Sequence, residues 1–312
     1  MLDCHGLCGQ RILVTGAGGQ LGQFLVPALL GVSATVIAFG ARPGVGVDEA
    51  VDLTDREGTI GAIRAASPAI IIHAAARTDV DGIERDPARG EADNTHATAN
   101  VADAAEAAGA YLLAVGSDMV FSGSDNAPHD EDSPTGPVSA YGRSKLAAER
   151  AVLSRSGSYA VARTAWLYGG PGKHFPRTVL RLLRERGEIG VVDDEFGNPT
   201  FAGDLAEALI AVAARRGNGI FHLVNEGRAS RLDLARETAR LTGFDPDLVR
   251  PISTAMFRER FPLTARRPPD ATLRNVRAAE LGIVLREWQE ALHDYTPQLE
   301  REFLTASPAR RS

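Results

Sequence analysis

Short, almost wholly apolar runs alternate with longer stretches of helical periodicity through the first half of the chain. Arg11–Thr15 (RILVT) is the first such run, and after it Phe24, Leu25, Ala28 and Leu29 recur at helical spacing. Residues 34–39 predict a second strand, and Val51-Asp52-Leu53 the end of a short third one. Residues 55–66 predict a helix with Thr54 or Asp55 near its N-cap. Residues 69–73 (AIIIH) show no polar alternation, as expected of a strand covered on both faces of a parallel sheet. From 79 to 109 the pattern is helical and split near Pro87, the second helix running 92–108. Residues 110–115 and 159–163 predict two more strands. This alternation of strand and helix predicts an α/β protein, a Rossmann-type doubly wound parallel sheet.

Beyond about Gly170 the alternation weakens. Residues 175–186, 202–215, 232–242 (Ser230 as cap) and 287–303 predict helices, and 188–192 and 219–224 strands. We therefore expect a dinucleotide-binding domain over 1–169, to which segments near 196–225 return. Residues 170–312 are expected to form mainly a smaller, irregular α/β substrate-binding lid. The tail from Ser307 reads as polar and disordered, and no internal repeat is present.

Composition narrows the class. The 312 residues can hold one large α/β unit or two modest domains, and 44% hydrophobic with 24% charged residues is ordinary for a soluble globular chain. A net charge of -6 and the lack of any basic run argue against a nucleic-acid surface. No segment reaches the ~18 apolar residues of a membrane span. The leader MLDCHGLCGQ has no signal-peptide core, so a cytoplasmic, disulfide-free protein is expected. Cys4, His5 and Cys8 have no second ligand pair nearby and read as a solvated tail rather than a metal site.

The first run leads directly into Gly16-Ala17-Gly18-Gly19-Gln20-Leu21-Gly22 and then a helix. Strand, glycine-rich turn and helix form the first half of a dinucleotide-binding unit, in which small residues let the backbone approach a pyrophosphate at the helix N-terminus. Gly16, Gly19, Gln20, Leu21 and Gly22 are thus cofactor candidates. The second strand ends Phe39-Gly40-Ala41-Arg42 with no carboxylate for a ribose 2′-hydroxyl, and Asp48 and Glu49 follow late in the loop. Arg42 either meets a 2′-phosphate or is a solvated loop residue; NADPH is the expected cofactor and NADH the alternative. Asp52 and Leu53 join the candidates. So do Ala74, Ala75, Ala76 and Thr78, small residues at a strand exit where a flat ligand can lie. His73 is expected to be packed rather than catalytic. Asn94 either reaches a neighbouring backbone or simply starts its helix.

Ser117 follows the 110–115 strand, and Tyr141 and Lys145 are four apart, on one face of a helix. Hydroxyl, phenol and ammonium can converge on one carbonyl oxygen. A YxxxK spacing is also common on solvated helix faces, but only Lys145 and Lys173 are lysines among 34 basic residues. That choice of a compact charge over the guanidinium fork adds weight to Lys145. Residues 122–138 hold three Asp, one Glu, three Pro and two Gly and read as a solvated loop rather than a metal site. Trp166, at the exit of the 159–163 strand, either covers a sugar ring or belongs to the core. Lys173 lies in a Gly-rich turn near the mouth.

These residues together resemble the extended short-chain dehydrogenase/reductase family and, within it, the dTDP-4-dehydrorhamnose reductase group. The shared landmarks are TGAGGQLG (15–22), HAAARTDVDGIE (73–84), SDMVFSG (117–123), YGRSK (141–145), RTAWLYG (163–169), FGNPT (196–200), HLVNEG (222–227) and RRPPDATL (266–273). The resemblance implies NAD(P)H-dependent reduction of the C4 keto group of a nucleotide-linked 4-keto-6-deoxyhexose. Tyr141 would be the general acid, with its pKa lowered by Lys145, and Ser117 would donate to the same oxygen; Tyr141 and Lys145 would also contact the cofactor. Ser117, Asp118, Met119 and Trp166 would face the sugar. Met119 stands where the group usually has Tyr, which puts the particular sugar in question more than the reaction. The group also admits a homodimer with carboxylate-bound Mg2+ at the contact, for which this sequence assigns no ligands. Two rivals share the scaffold: a sugar-nucleotide epimerase or dehydratase, and a non-catalytic NADP-binding regulatory subunit.

Overall fold

The computed structural model describes residues 5–124, 127–262 and 264–305. Cys4 and the tail from Ser307 lie outside the described residues; Cys8 is an exposed free thiol. Seven strands form the central sheet: β1 (Arg11–Thr15), β2 (Thr35–Gly40), β3 (Glu49–Ala50), β4 (Ile70–His73), β5 (Tyr111–Val115), β6 (Ala160–Arg163) and β7 (Gly219–His222). Their order is β7-β6-β5-β4-β1-β2-β3, with every neighbouring pair parallel. The winding reverses between β1 and β4, and a crevice opens there at the C-terminal strand ends.

The apolar runs have a direct explanation. Ile70 and Ile72 of β4 join one core, with α1 (Gly22–Gly31) and the later helix Ala202–Ala214, while Ile71 joins the opposite core, with α2 (Arg56–Ala66) and α3 (Ala97–Ala108). Both faces are dry, so side chains alternate in direction without alternating in polarity. Ala202–Ala214 contributes Leu205, Leu209 and Val212 to the first core, and β7 pairs with β6 beside it. Two further apolar clusters gather around Tyr168, Leu180, Trp288 and Tyr295, and around Val179, Leu183, Ile189 and Val249.

Several elements differ from expectation. The third strand is Glu49–Ala50, so it stops just before residues 51–53, where its end was expected. Asp52 accepts from both the backbone N–H (2.9 Å) and the hydroxyl (2.6 Å) of Thr54, a local turn that ends extension there. Pro87 does start a helix, capped by Asp86, but the chain then passes without interruption through a π turn, Glu91–His96, into α3. The strand Val249–Ile252, parallel to Ile189–Val192, and the helix Thr254–Arg260 were not anticipated. Pro251 disguises that strand; a two-stranded pair tolerates a proline because its outer edge has no ladder to complete. Among the described residues no helix is long and apolar enough to cross a membrane.

Candidate active site

A cleft of about 1270 Å³ runs across the C-terminal ends of the strands. At its floor the glycine turn is held against the β4 exit. A Cβ on Gly16, which has φ +72°, would lie 2.8 Å from the Ala75 backbone. A Cβ on Gly19 would sit 3.0 Å from the Gly16 carbonyl oxygen. Gly16, Gly19, Gln20 and Leu21 line the cleft. Gly22 does not: a Cβ there would strike the Ala17 carbonyl oxygen at 2.2 Å, so this glycine seats the helix beneath the turn. No side chain caps α1 at Leu21, although Gln23 N–H donates to Gly19 O at 3.2 Å and Phe24 N–H to Leu21 O at 3.0 Å, so the turn offers an anion the positive end of the helix rather than a row of free donors. The Gln20 side chain donates to Gly169 O at 3.0 Å and so ties the turn to the exit beyond β6.

Arg42 is exposed and lines the cleft just past β2. Asp48 is already engaged, accepting from Ala38 N–H at 2.9 Å on the same strand. Just past the end of β2 the cleft lining therefore carries the Arg42 cation, with the nearby Asp48 carboxylate already engaged, which fits a 2′-phosphate. Asp52 and Leu53 border the same end, and the hydrogen bonds from Thr54 hold the Asp52 carboxyl below its ordinary range.

Ala74, Ala75, Ala76 and Thr78 also line the cleft. His73, one residue earlier, is buried with Nδ1 at 2.7 Å from Thr15 Oγ1 and Nε2 at 2.9 Å from Thr98 Oγ1. Burial, with Lys145 nearby, pushes its pKa down to about 3, so it is a neutral strut. Asn94, at the centre of the π turn, accepts from Arg77 N–H (2.8 Å) and donates to Arg77 O (3.2 Å) and Ser144 Oγ (3.1 Å). It reaches the backbone rather than merely starting a helix, and it ties the β4 exit to α4 (Ala140–Leu153).

Helix α4 is capped by Ser139, whose Oγ accepts from Gly142 N–H at 3.1 Å. It carries Tyr141 and Lys145 into the cleft opposite Ser117, and all three are buried. Lys145 Nζ donates to Val115 O at 2.7 Å. Burial lowers its pKa to about 8, against the pull of Glu149 in the other direction. Ser117 Oγ donates to Asp118 Oδ1 at 3.0 Å and accepts from Met119 N–H at 3.2 Å. Burial pushes Asp118 up to about 6, opposed by the Ser117 hydrogen bond and by Arg231. The expectation that Lys145 lowers the Tyr141 pKa needs correction. Burial raises the phenol to about 12, the Ser117 hydrogen bond pulls it down, and Asp118 pushes it further up. Removing a phenolate from water outweighs the Ser117 hydrogen bond.

On the other wall stand Asp118, Met119, Trp166 and Lys173. Sequence reasoning singled out none of Glu195, Phe196, Arg231 and Arg267, which also line this wall. The signals present were the FGNPT and RRPPDATL segments for Phe196 and Arg267; nothing local marked Arg231. Arg267 donates to Asp81 Oδ1 at 3.1 Å, and Ala265 N–H donates to the same oxygen at 3.0 Å. Among the described residues no group of three or more His, Cys, Asp or Glu could hold a metal ion.

The profile of the RmlD substrate binding domain family matches residues 10–301. The chain belongs to this family. Among its relatives, the dTDP-4-dehydrorhamnose reductase of Mycolicibacterium smegmatis is 40% identical, over 91% of this chain and 84% of that one. A probable dTDP-4,6-dihydroxy-2-methyloxan-3-one 4-ketoreductase of Streptomyces antibioticus is 38% identical, over 93% and 95%. The crystal structure of the Bacillus anthracis dTDP-4-dehydrorhamnose reductase in complex with NADP superposes with a TM-score of 0.85 at 30% identity, covering 93% of this chain and 99% of that one. The RmlD-family match thus spans both the nucleotide cleft and the wall that faces it.

Proposed function

We propose that this RmlD-family protein is an NADPH-dependent reductase. It reduces the C4 keto group of a dTDP-linked 4-keto-6-deoxyhexose, with dTDP-4-dehydrorhamnose to dTDP-rhamnose as the leading substrate and product. The observation that carries the reading is the meeting of Ser117, Tyr141 and Lys145 in the cleft that the glycine turn floors. When bound, the dihydronicotinamide supplies a hydride to the carbonyl carbon. The chain's residues manage the oxygen. Tyr141, with its pKa near 12, stays protonated across the working range and holds a proton ready for the developing alkoxide. Lys145, fixed by Val115 O, places a positive charge near the phenolate that remains. Ser117 turns its hydroxyl from Asp118 to the carbonyl oxygen and steadies the charge there. Arg42 holds the 2′-phosphate. Met119 follows Asp118 where a dehydratase would need an acid or base, and this disfavours dehydration.

Consumption of NADPH with dTDP-4-keto-6-deoxyglucose, with and without an added 3,5-epimerase, tests this reading. Turnover only with the epimerase supports the rhamnose product. Turnover without it assigns a different deoxysugar. Tight NADPH binding with no oxidation on either sugar would leave a non-catalytic subunit.

A pH dependence follows. Lys145 is charged below about pH 8 and neutral above it, so kcat/KM should be flat below that pH and fall towards tenfold per unit above it. A profile level to pH 10 would show that the Lys145 charge takes no part in the rate.

A further inference from the structure

The Arg231 guanidinium presents five N–H donors to the cleft wall, and among the described residues it donates no hydrogen bond. Its ion-pair contact there is Glu195, with Nε at 4.0 Å from Oε2, beyond hydrogen-bond distance. The side chain is nonetheless only 21% exposed. Of the other arginines lining the cleft, Arg77 and Arg89 are paired with Asp93 at 2.6 and 2.8 Å and Arg267 with Asp81 at 3.1 Å, while Arg42 is exposed. A half-buried cation with idle donors costs stability unless a ligand completes it.

What holds Arg231 is a ring. Its Cζ lies 3.5 Å from the centre of the Trp166 ring, and the Phe175 ring stands 5.3 Å away. The platform is itself fixed. Trp166 has φ +42°, a conformation that residues with a Cβ seldom adopt, and Gly197 leaves room for the indole, since a Cβ there would sit 2.7 Å from Cε2. Stacking occupies the π face of the guanidinium and leaves its in-plane N–H groups free. One face of Trp166 is thereby covered, so on that side the flat surface presented to a ligand is the guanidinium, not the indole.

Its level in the cleft decides what it meets. Asp118 N–H donates to Thr164 O at 2.9 Å, two residues before Trp166, and Asp118 accepts from Ser117. Arg231 and Asp118 act on each other electrostatically. Both line the cleft, so the guanidinium lies within electrostatic reach of its Ser117–Asp118 end. Although burial lowers its pKa to about 10, it remains charged at neutral pH.

We infer that Arg231, stacked on Trp166, is a specificity-determining residue that donates hydrogen bonds to hydroxyl oxygens of the substrate's hexose. This rests on the sugar-nucleotide reading above. The test is calorimetric and needs no turnover: dTDP and dTDP-rhamnose are titrated into the NADPH-loaded wild type, Arg231→Gln and Arg231→Lys. Arg231→Gln should weaken dTDP-rhamnose roughly 10- to 100-fold, as for lost hydrogen bonds from a charged donor, and leave dTDP within about twofold. Arg231→Lys, which keeps the charge without the fork, should fall between. An equal loss for dTDP would place the contact on the diphosphate and overturn the proposal. So would unchanged binding of both, or a wild type that binds dTDP-rhamnose no more tightly than dTDP. Failure of the reductase reading is separate, being the absence of NADPH oxidation on any 4-keto sugar. Thermal unfolding of each variant controls for folding.

Discussion

Replacing Tyr141 with Phe should lower kcat/KM roughly 10²- to 10⁴-fold, the usual contribution of a positioned proton donor. The ring is kept, so the packing of Tyr141 with Ile83 and Ala140 is kept too. What is lost is one hydroxyl within hydrogen-bond reach of Ser117. NADPH affinity, measured by quenching of intrinsic fluorescence, should stay within a few-fold, because one hydroxyl among the many contacts of the cofactor cleft is removed while its main action is on the substrate oxygen. Loss of turnover with binding intact is the signature of an interaction made only as charge develops. A fall of less than tenfold would mean that another group in the cleft supplies the proton, and Asp118, raised to about 6 by burial, would be the next to test.

The second large effect is on stability. Glu149 and Arg163 form a two-pronged ion pair, Nη2 to Oε1 at 2.5 Å and Nε to Oε2 at 3.0 Å, with side-chain exposures of 4% and 2%. The pair joins α4 to β6, and Arg163 also stands over the Phe121 ring at 5.1 Å. Glu149→Ala leaves a guanidinium buried without its counter-charge, which costs about 3–5 kcal/mol. At ~2.1 cal/mol/K of unfolding entropy per residue, a 312-residue chain shifts by roughly 1.5 °C per kcal/mol, so Tm should drop by about 4–8 °C in a thermal melt. A drop under about 2 °C would mean that water reaches Arg163. The milder Glu149→Gln has a second readout. Glu149 raises the Lys145 pKa, so removing its charge should move the high-pH limb of kcat/KM below pH 8. A limb that stays in place would uncouple the two sites.

Both effects concern residues of α4, yet the sequence exposed only one of them. Tyr141 and Lys145 were legible because helical spacing alone puts them on one face. Glu149 lies on the same helix, but its partner is on a strand formed by residues further along the chain, and no local pattern links them. The same divide runs through the fold. β1 and Phe175–Arg186 were read with their observed bounds, since their apolar patterns are strong and local. Val249–Ile252 was hidden by a proline that only its place in a two-stranded pair makes tolerable.

The order of side chains along the chain thus determined the strands, the glycine turn and the Tyr–Lys face, because each depends on geometry within a few residues. The site residues it singled out do line the cleft, Gly22 excepted, since strand exits are where a parallel sheet opens, but Glu195, Phe196, Arg231 and Arg267 on the same lining were missed. Solvation was beyond its reach. Whether a phenol is raised or lowered depends on all the atoms that exclude water from it, and at Tyr141 burial outweighed the Ser117 hydrogen bond. The stacking of Arg231 on Trp166 is of the same kind. It brings together a cation and a ring from distant segments, and only packing in three dimensions sets Arg231 over Trp166 in the cleft lining.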